Sequence, residues 1–453
     1  MVGNGYFDLI ELEQRVVRVP EKWLRRFRWE QGKRIRVAAG QKQVMAAVYP
    51  HKLDHFALST DIKQDLRLPS TVISWKADRS GIRLGPFVAV YCNRTKDPQW
   101  PFASITTLLK DMTEIADELG IPFYVISIGG MLPDKKIVTG WRYDKVSDKW
   151  KAMEFPWPDF CIRKIISIPS DLKTVAKRDI RLLRATGCRF LYRNMGAKWN
   201  IHRLLSKDRN IVPFLPETRK INSLTDVTTM LESHKLIYVK PLNGTQGRGV
   251  YRLERLSSLQ SVRLEFQRGS ETRRATIDLN KNNSWFVRKF ISGRPFLVQQ
   301  GIRLVADKNG RPADFRWLIQ KDGTGKWKVT ARIARMGQKD SVTTNVSTGA
   351  DVLPAEEFLQ QTGLSLLRIR FVIEKFDGLA FSIGKRLDRR FSGIGELGID
   401  FGLDSSGHPW LIEVNPNPGR KMLRMTDTGI RALSLKRPLE YARYTVGFGQ
   451  SNQ

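Results

Sequence analysis

Three oxygen-bearing side chains, Asp400, Glu413 and Asn415, fall in two short runs that read as a β-hairpin. These are Gly395 to Leu403, the turn Asp404-Ser405-Ser406-Gly407-His408, and the return Pro409 to Asn415. With Ser406-Gly407 as a two-residue turn, cross-strand partners sum to a constant index. Asp400 then stands opposite Glu413, with side-chain roots about 5 Å apart. Period-2 alternation puts Ile399, Phe401 and Leu403 on one face with Trp410, Ile412 and Val414, and puts Gly398, Asp400, Gly402, Leu411, Glu413 and Asn415 on the other. The first face reads as core and the second as chemistry. Two facing carboxylates repel unless they share a proton or a cation neutralises both. The neighbouring amide oxygen of Asn415 and the side-chain-free glycines favour a hard, oxygen-seeking ion with room beside it. Mg²⁺ bridging a phosphate is the chemistry this predicts, and a solvated face whose acids point at water is the alternative.

A nucleotide partner for such a metal requires a phosphate-gripping loop, and residues 236–254 supply a strand, a glycine turn and a second strand. Gly244, Gly247 and Gly249 give G-x-x-G-x-G. This is not the Walker loop, since no Gly-Lys-Ser/Thr closes it, nor the dinucleotide fingerprint, since no helix follows. Backbone N–H groups of such a flap approach phosphate oxygens closely, and Lys240 at the end of the incoming strand adds a point charge. An ordinary hairpin loop with a surface lysine is the competing reading.

A second hairpin is predicted from Phe315 to Gln320 and Trp327 to Arg335, joined through Lys321-Asp322-Gly323-Thr324-Gly325. Arg316 within it offers a fork of donors that matches two phosphoryl oxygens at once. It serves equally as the partner of a surface acid. The five histidines, His51, His55, His202, His234 and His408, form no metal-ligand spacing.

These residues together resemble the ATP-grasp ligases, and within them the YheC/YheD-like, endospore coat-associated branch. The resemblance runs from about residue 190 to the C-terminal region. It is carried by Leu191-Tyr192-Arg193-Asn194, Lys198-Trp199, Leu215-Pro216-Glu217-Thr218, Val239-Lys240-Pro241, Gln299-Gln300-Gly301-Ile302, Asp314-Phe315-Arg316, Thr343-Thr344-Asn345 and Glu413-Val414-Asn415. It implies a mixed α+β and α/β chain whose ATP-grasp fold, two α+β lobes that clasp ATP, follows an α/β pre-ATP-grasp domain. The chemistry implied is activation of a carboxylate as an acyl phosphate, then amine attack to form an amide. By the same resemblance Lys198 and Lys240 hold the nucleotide phosphates, and Asp400, Glu413 and Asn415 hold Mg²⁺, with Mn²⁺ as the alternative. Arg316 and Arg335 lie over the transferred phosphoryl group, and Asn345 is a further polar group of the pocket. Many family members place a Glu where a strand meets adenine or ribose; this chain has Gln299 and Gln300 before Ile302 at that place.

The 453 residues allow two or three domains, and a hydrophobic share of 41% marks a globular chain. Residues 1–85 read as a small β-rich module, with alternating runs about a turn from Arg34 to Val44 and a connection from Asp61 to Pro69. Residues 86–193 read as the α/β domain, with strand, helix and strand, and 194–453 as the ATP-grasp domain. Three unpatterned cysteines exclude a disulfide framework. No signal-like N-terminus and no apolar run long enough to span a bilayer are present. A cytoplasmic protein, by resemblance associated with the forming spore coat, is expected.

The formal charge of +32 is the main compositional anomaly, with excesses of +7, +6 and +19 over 1–85, 86–193 and 194–453. It predicts an acidic peptide or anionic polymer as partner beside ATP. Nucleic acid is the less favoured partner, since no helix-turn-helix, zinc finger or ribonucleoprotein signature occurs. Three functions therefore compete: a carboxylate–amine ligase, a nucleotide-binding scaffold of the spore coat, and a nucleic-acid-binding protein.

Overall fold

The β-sheets of the described residues, four in number, divide between two units, one of Met1–Arg193 with Lys321–Lys326 and Ala432–Gln453, the other of Asn194–Gln320 with Trp327–Arg431. The structure, a computed structural model, describes residues 2–449 except 6–7, 12–13, 53, 166–167, 192–194, 197, 243–248, 259–260, 269–270, 292, 338–350, 421 and 425–426.

In the first unit β1 (Val2–Gly5), β2 (Asp8–Ile10), β3 (Val16–Pro20), β4 (Arg34–Ala39), β5 (Lys42–His51), β6 (Ala57–Ser59), β7 (Ile73–Asp78) and β8 (Gly81–Leu84) form one sheet in the order β1-β7-β8-β4-β5-β3-β6-β2. The antiparallel pair β4–β5 is the alternation predicted about Gly40. Helix α1 (Glu21–Phe27) precedes β4. Asp61 to Pro69, expected as a connection, includes helix α2 (Thr60–Leu66), because Ile62 and Leu66, four residues apart, share one face and are fully buried.

The second sheet contains β9 (Val88–Cys92), β10 (Phe123–Leu132), β11 (Ile137–Asp144), β12 (Lys149–Pro156), β13 (Phe160–Arg163) and β14 (Arg189–Leu191), in the order β12-β11-β10-β9-β13-β14. β9 and β10 run parallel through helix α3 (Thr106–Glu118), whose buried Leu109, Met112 and Ala116 form the predicted apolar stripe. Helix α4 (Lys173–Ala185) makes the crossover from β13 to the parallel β14.

The second unit holds the residues of interest. β15 (Thr218–Lys220), β16 (Leu236–Pro241), β17 (Tyr251–Arg255), β18 (Ser261–Arg268), β19 (Glu271–Asp278) and β20 (Phe296–Gln300) lie in the order β15-β20-β16-β17-β18-β19. Helices α6 (Leu224–Ser233) and α7 (Asn283–Phe286) pack on this sheet, while Ile201 and Leu205 of α5 (Lys198–Leu205) join the core of the last sheet. One face carries Ile237, Val239, Leu253, Leu264 and Val298 into a core with Val227 and Met230 of α6, so alternation leaves the opposite face polar.

The last sheet, β21 (Ala313–Lys321), β22 (Trp327–Met336), β23 (Asp351–Pro354), β24 (Glu396–Leu403) and β25 (Pro409–Asn415), has the order β23-β22-β21-β24-β25. Helices α8 (Ala355–Gln360) and α9 (Leu366–Asp388) cover one side of it. Phe315, Trp317, Ile399 and Phe401 meet Phe376 of α9, with Phe376 and Phe401 stacked at 4.6 Å between centroids. Such a pair adds about 1 kcal/mol to the area it buries. Helix α10 (Thr428–Thr445) ends the described fold, and its Leu435 and Leu439 join the core of the first unit. Among the described residues no helix is long and apolar enough to cross a membrane.

Candidate active site

The polar face of the six-stranded sheet fixes a lysine by a relay of side chains. Lys240 Nζ donates to Gln299 Oε1 at 2.6 Å, Gln299 Nε2 donates to Thr218 Oγ1 at 3.0 Å, and Thr218 Oγ1 donates to the carbonyl of Pro216 at 2.8 Å. The antiparallel pairing of β20 with both β15 and β16 places the three side chains on one face. Gln300, one residue on, turns to the other face, where its Oε1 accepts from the Glu217 N–H at 3.1 Å. Ile302 follows in the link after β20 and is partly buried.

Lys240, Gln299 and Thr218 line a cleft, about 590 Å³ of space partly open to solvent, whose remaining walls include His202 of α5 and Glu413 of β25. Burial lowers the pKa of His202, so this ring is neutral near pH 7, and it stacks on Trp199 at 5.4 Å. Sequence reading missed His202 because it sought metal spacing among histidines. Its place four residues after Lys198, one helical turn on, was the available signal.

Lys198 opens α5, and its side chain lies outside the described residues. So do Gly244, Gly247 and Asn345. Gly249 is described, and its φ of +74° favours glycine; a Cβ there would only push aside the tip of the Arg294 side chain.

On the five-stranded sheet the predicted opposition holds, since Asp400 pairs with Glu413 across β24 and β25. The turn does not. Leu403 pairs with Pro409, leaving a five-residue loop in which the Asp404 carboxylate accepts from the N–H groups of Ser406 and His408 and from Trp410 Nε1 at 2.9 Å each. This wider loop moves the register by one, and a bulge at Ile412 restores it before Glu413. The predicted faces are corrected accordingly. Leu411, opposite Phe401, enters the core, while Trp410 faces Gly402 on the other side with Ile412 beside it.

Asp400 is 6% exposed and is held by two guanidiniums. Arg316, directly opposite it on β21, grips both oxygens through Nε and Nη2, the latter at 2.8 Å. Arg335 Nη2 reaches the same carboxylate at 3.1 Å and engages Asp314 through both Nε, at 2.7 Å, and Nη2. Gly398 leaves room for this fork, since a Cβ there would lie 2.9 Å from Pro418 and 3.4 Å from Arg316. Burial works against ionisation of Asp400, but Arg316 and Arg335 overcome it and bring its pKa down to about 2. Burial likewise works against the charge on Arg335, and Asp314 and Asp400 more than offset it, raising its pKa.

In the row Asp314–Arg335–Asp400–Arg316 two carboxylates alternate with two guanidiniums, so Arg316 and Arg335 balance the Asp400 charge and leave Glu413, opposite it, outside the row. Asn415, opposite Gly398, carries its Oδ1 on the N–H of Asn417 at 3.0 Å. Among the described residues no three His, Cys, Asp or Glu side chains gather as a metal cage. Sequence reading also gave no role to Glu396, which lies four residues before Asp400 on the same face. It is fully buried and bound by Arg420 and by Gln320 at 2.8 Å. The alternation that exposed Asp400 as a candidate applies to Glu396 as well.

A YheC/D-like ATP-grasp family model matches residues 187–445. The Bacillus subtilis (strain 168) endospore coat-associated protein YheD is 27% identical over 369 residues, 80% of this chain and 79% of that protein. Endospore coat-associated protein YheC of the same strain is 24% identical over 314 residues, 69% of this chain and 85% of that protein. Among solved structures, D-alanyl-alanine synthetase A from Vibrio cholerae is similar at 13% identity and a TM-score of 0.45, covering 80% of this chain and 98% of its own. Because the family model spans more than half of its length, the chain belongs to the YheC/D-like ATP-grasp family.

Proposed function

We propose that the protein is an ATP- and Mg²⁺-dependent ligase that joins a carboxylate to an amine through an acyl phosphate, with 194–453 as its ATP-grasp domain, 86–193 as the α/β domain before it and 1–85 as the small N-terminal module. The observation that carries this is the cleft in which an oriented cation, Lys240, and an acid, Glu413, share one wall system beside the row of arginines. In this reading Gln299 holds the Lys240 ammonium toward the α- or β-phosphate, Lys198, Gly244, Gly247 and Gly249 add further phosphate contacts, and Ile201, Leu205 and neutral His202 take the flat base.

Mg²⁺, with Mn²⁺ as the alternative, would be held by Glu413, by Asn415 and by Asp400, an ionised carboxylate that Arg316 and Arg335 already charge-balance and that would therefore be the weakest ligand of the three. Bound there, the ion supplies charge to the phosphates being parted. Arg316 and Arg335 keep Asp400 ionised and present fixed guanidiniums beside the transferred group, so no reorganisation is needed as charge develops. Asn345 completes the polar side of the pocket.

The acceptor is an acidic peptide or anionic polymer, supported by the +19 charge excess of residues 194–453. The names of the two relatives favour work at the endospore coat. The test is an acceptor screen for ADP release. Release that requires Mg²⁺, ATP and an acidic carboxylate donor together establishes the ligase. MgATP binding without acceptor-dependent release, across acidic and neutral candidates, leaves a nucleotide-binding scaffold.

A further inference from the structure

The face of the six-stranded sheet that carries Lys240 and Gln299 continues well beyond the cleft. Outward from Gln299 the cross-strand register runs through Tyr238, Arg252 and Glu265 to Arg274 on β19, the edge strand. The adjacent row brings Glu254 opposite Arg263. Alternation places all of these opposite the Leu253 and Leu264 core face.

The charges on this face are layered. Glu265 and Glu254 lie beneath, 5% and 15% exposed, and Arg263, Arg274 and Arg303 lie above, 48%, 51% and 71% exposed. Arg274 reaches Glu265 at 3.2 Å, Arg263 and Arg303 reach Glu254 at 3.6 and 3.7 Å, and Arg252 bridges both acids. Two carboxylates under four guanidiniums leave the cluster positive. A buried acid that fixes a guanidinium also removes much of the side-chain entropy that binding would otherwise cost, and each outward fork matches a carboxylate bidentately.

We propose that this face docks an acidic polypeptide segment and leads it toward the cleft, a proposal that rests on reading the acceptor as acidic. Four strand spacings separate Arg274 from Gln299, about 19 Å, so the segment spans roughly six extended residues. A single-stranded nucleic acid is the poorer fit because its binding platforms stack bases on exposed rings. Among the described residues of this face the aromatic side chain is Tyr238, half-buried at the cleft end with Lys240 5.5 Å over its ring.

The test uses the full chain without nucleotide and a fluorescently labelled octaglutamate. Wild type should bind it with an affinity that falls as salt rises, and tetraglutamate should bind more weakly. Arg263→Ala/Arg274→Ala should lose at least tenfold in affinity while keeping its MgATP-induced thermal shift. Arg263→Lys/Arg274→Lys, which keeps the charge and loses the fork, should fall between and also stands in should the alanine variant misfold. Undiminished octaglutamate binding by both double variants overturns the proposal, as does equal binding of octaglutamine. An octanucleotide that displaces the peptide and binds more tightly replaces it with a nucleic-acid surface. Since nucleotide is absent, failure of the ligase reading would appear separately, as a wild type that binds octaglutamate but releases no ADP from MgATP in the acceptor screen.

Discussion

Arg316 and Asp400 stand directly opposite each other on adjacent antiparallel strands, and two nitrogens of the guanidinium hold the two carboxylate oxygens. Arg335 reaches the same carboxylate from β22, so Asp400 is the acid that two guanidiniums share. The charge row is thus preassembled across three strands, and its parts should respond differently to substitution.

Asp400→Asn removes the shared charge and leaves Arg316 buried without its acid, while Arg335 keeps Asp314. Breaking a buried pair from one side costs about 3–5 kcal/mol. The urea midpoint of the nucleotide-free protein should fall accordingly. A midpoint equal to wild type would show that the pair contributes nothing to the fold.

The same pair sets an acid limit on stability. The pKa of Asp400 is depressed from 3.8 to about 2 in the folded chain. Its contribution is therefore complete above the unfolded value and is lost as pH falls through the folded one. The difference in unfolding free energy between wild type and Asp400→Asn should be flat above about pH 5 and shrink, by an amount on the order of 2 kcal/mol, from pH 4 to 2. A difference that is independent of pH over that interval contradicts the assignment.

Lys240 and Gln299 should be separable by nucleotide response. A ligand at about 100 times its Kd adds roughly 2.7 kcal/mol to the folded state, so MgATP should raise the wild-type Tm. Lys240→Ala should abolish most of that shift, and Gln299→Ala, which removes one acceptor of the lysine, should reduce it partway. Calorimetry checks both. A full shift in Lys240→Ala, or no wild-type response at millimolar MgATP, would remove the nucleotide from this cleft.

Much of this arrangement was legible in the chain. The hairpin bearing Arg316 and Arg335 and the strand–helix–strand of β9, α3 and β10 follow from period and turn residues, whereas the expected opposition of Asp400 and Glu413 holds because a bulge offsets a misplaced turn. The turn at Asp404 was not, because its width is set by four donors converging on one carboxylate, Trp410 Nε1 among them, and the bulge at Ile412 that absorbs the extra residue has no local signature. Nor was the pairing of Asp400 with Arg316 and Arg335. Strand periodicity places a side chain on a face, but which of several strands lies alongside is decided by sheet order, and β21 next to β24 joins residues 84 apart.

Glu413 provides the sharpest separation of structure from chemistry. It faces Asp400 in register, yet it lies partly exposed in the cleft while Asp400 is buried and held by two arginines. Glu413→Gln keeps the side chain's size and removes a like charge from opposite Asp400, so the metal-free protein should be no less stable than wild type. Loss of one ligand charge should lower Mg²⁺-dependent ADP release about tenfold or more, the range lost even when a residue that only supports a metal ligand is removed. Raising Mg²⁺ should recover part of the rate, because the defect is in holding the ion, and wild type should saturate at lower Mg²⁺. A structural role for Glu413 predicts the reverse pattern, a lower urea midpoint with unchanged Mg²⁺ dependence, and that result would exclude it from the metal site.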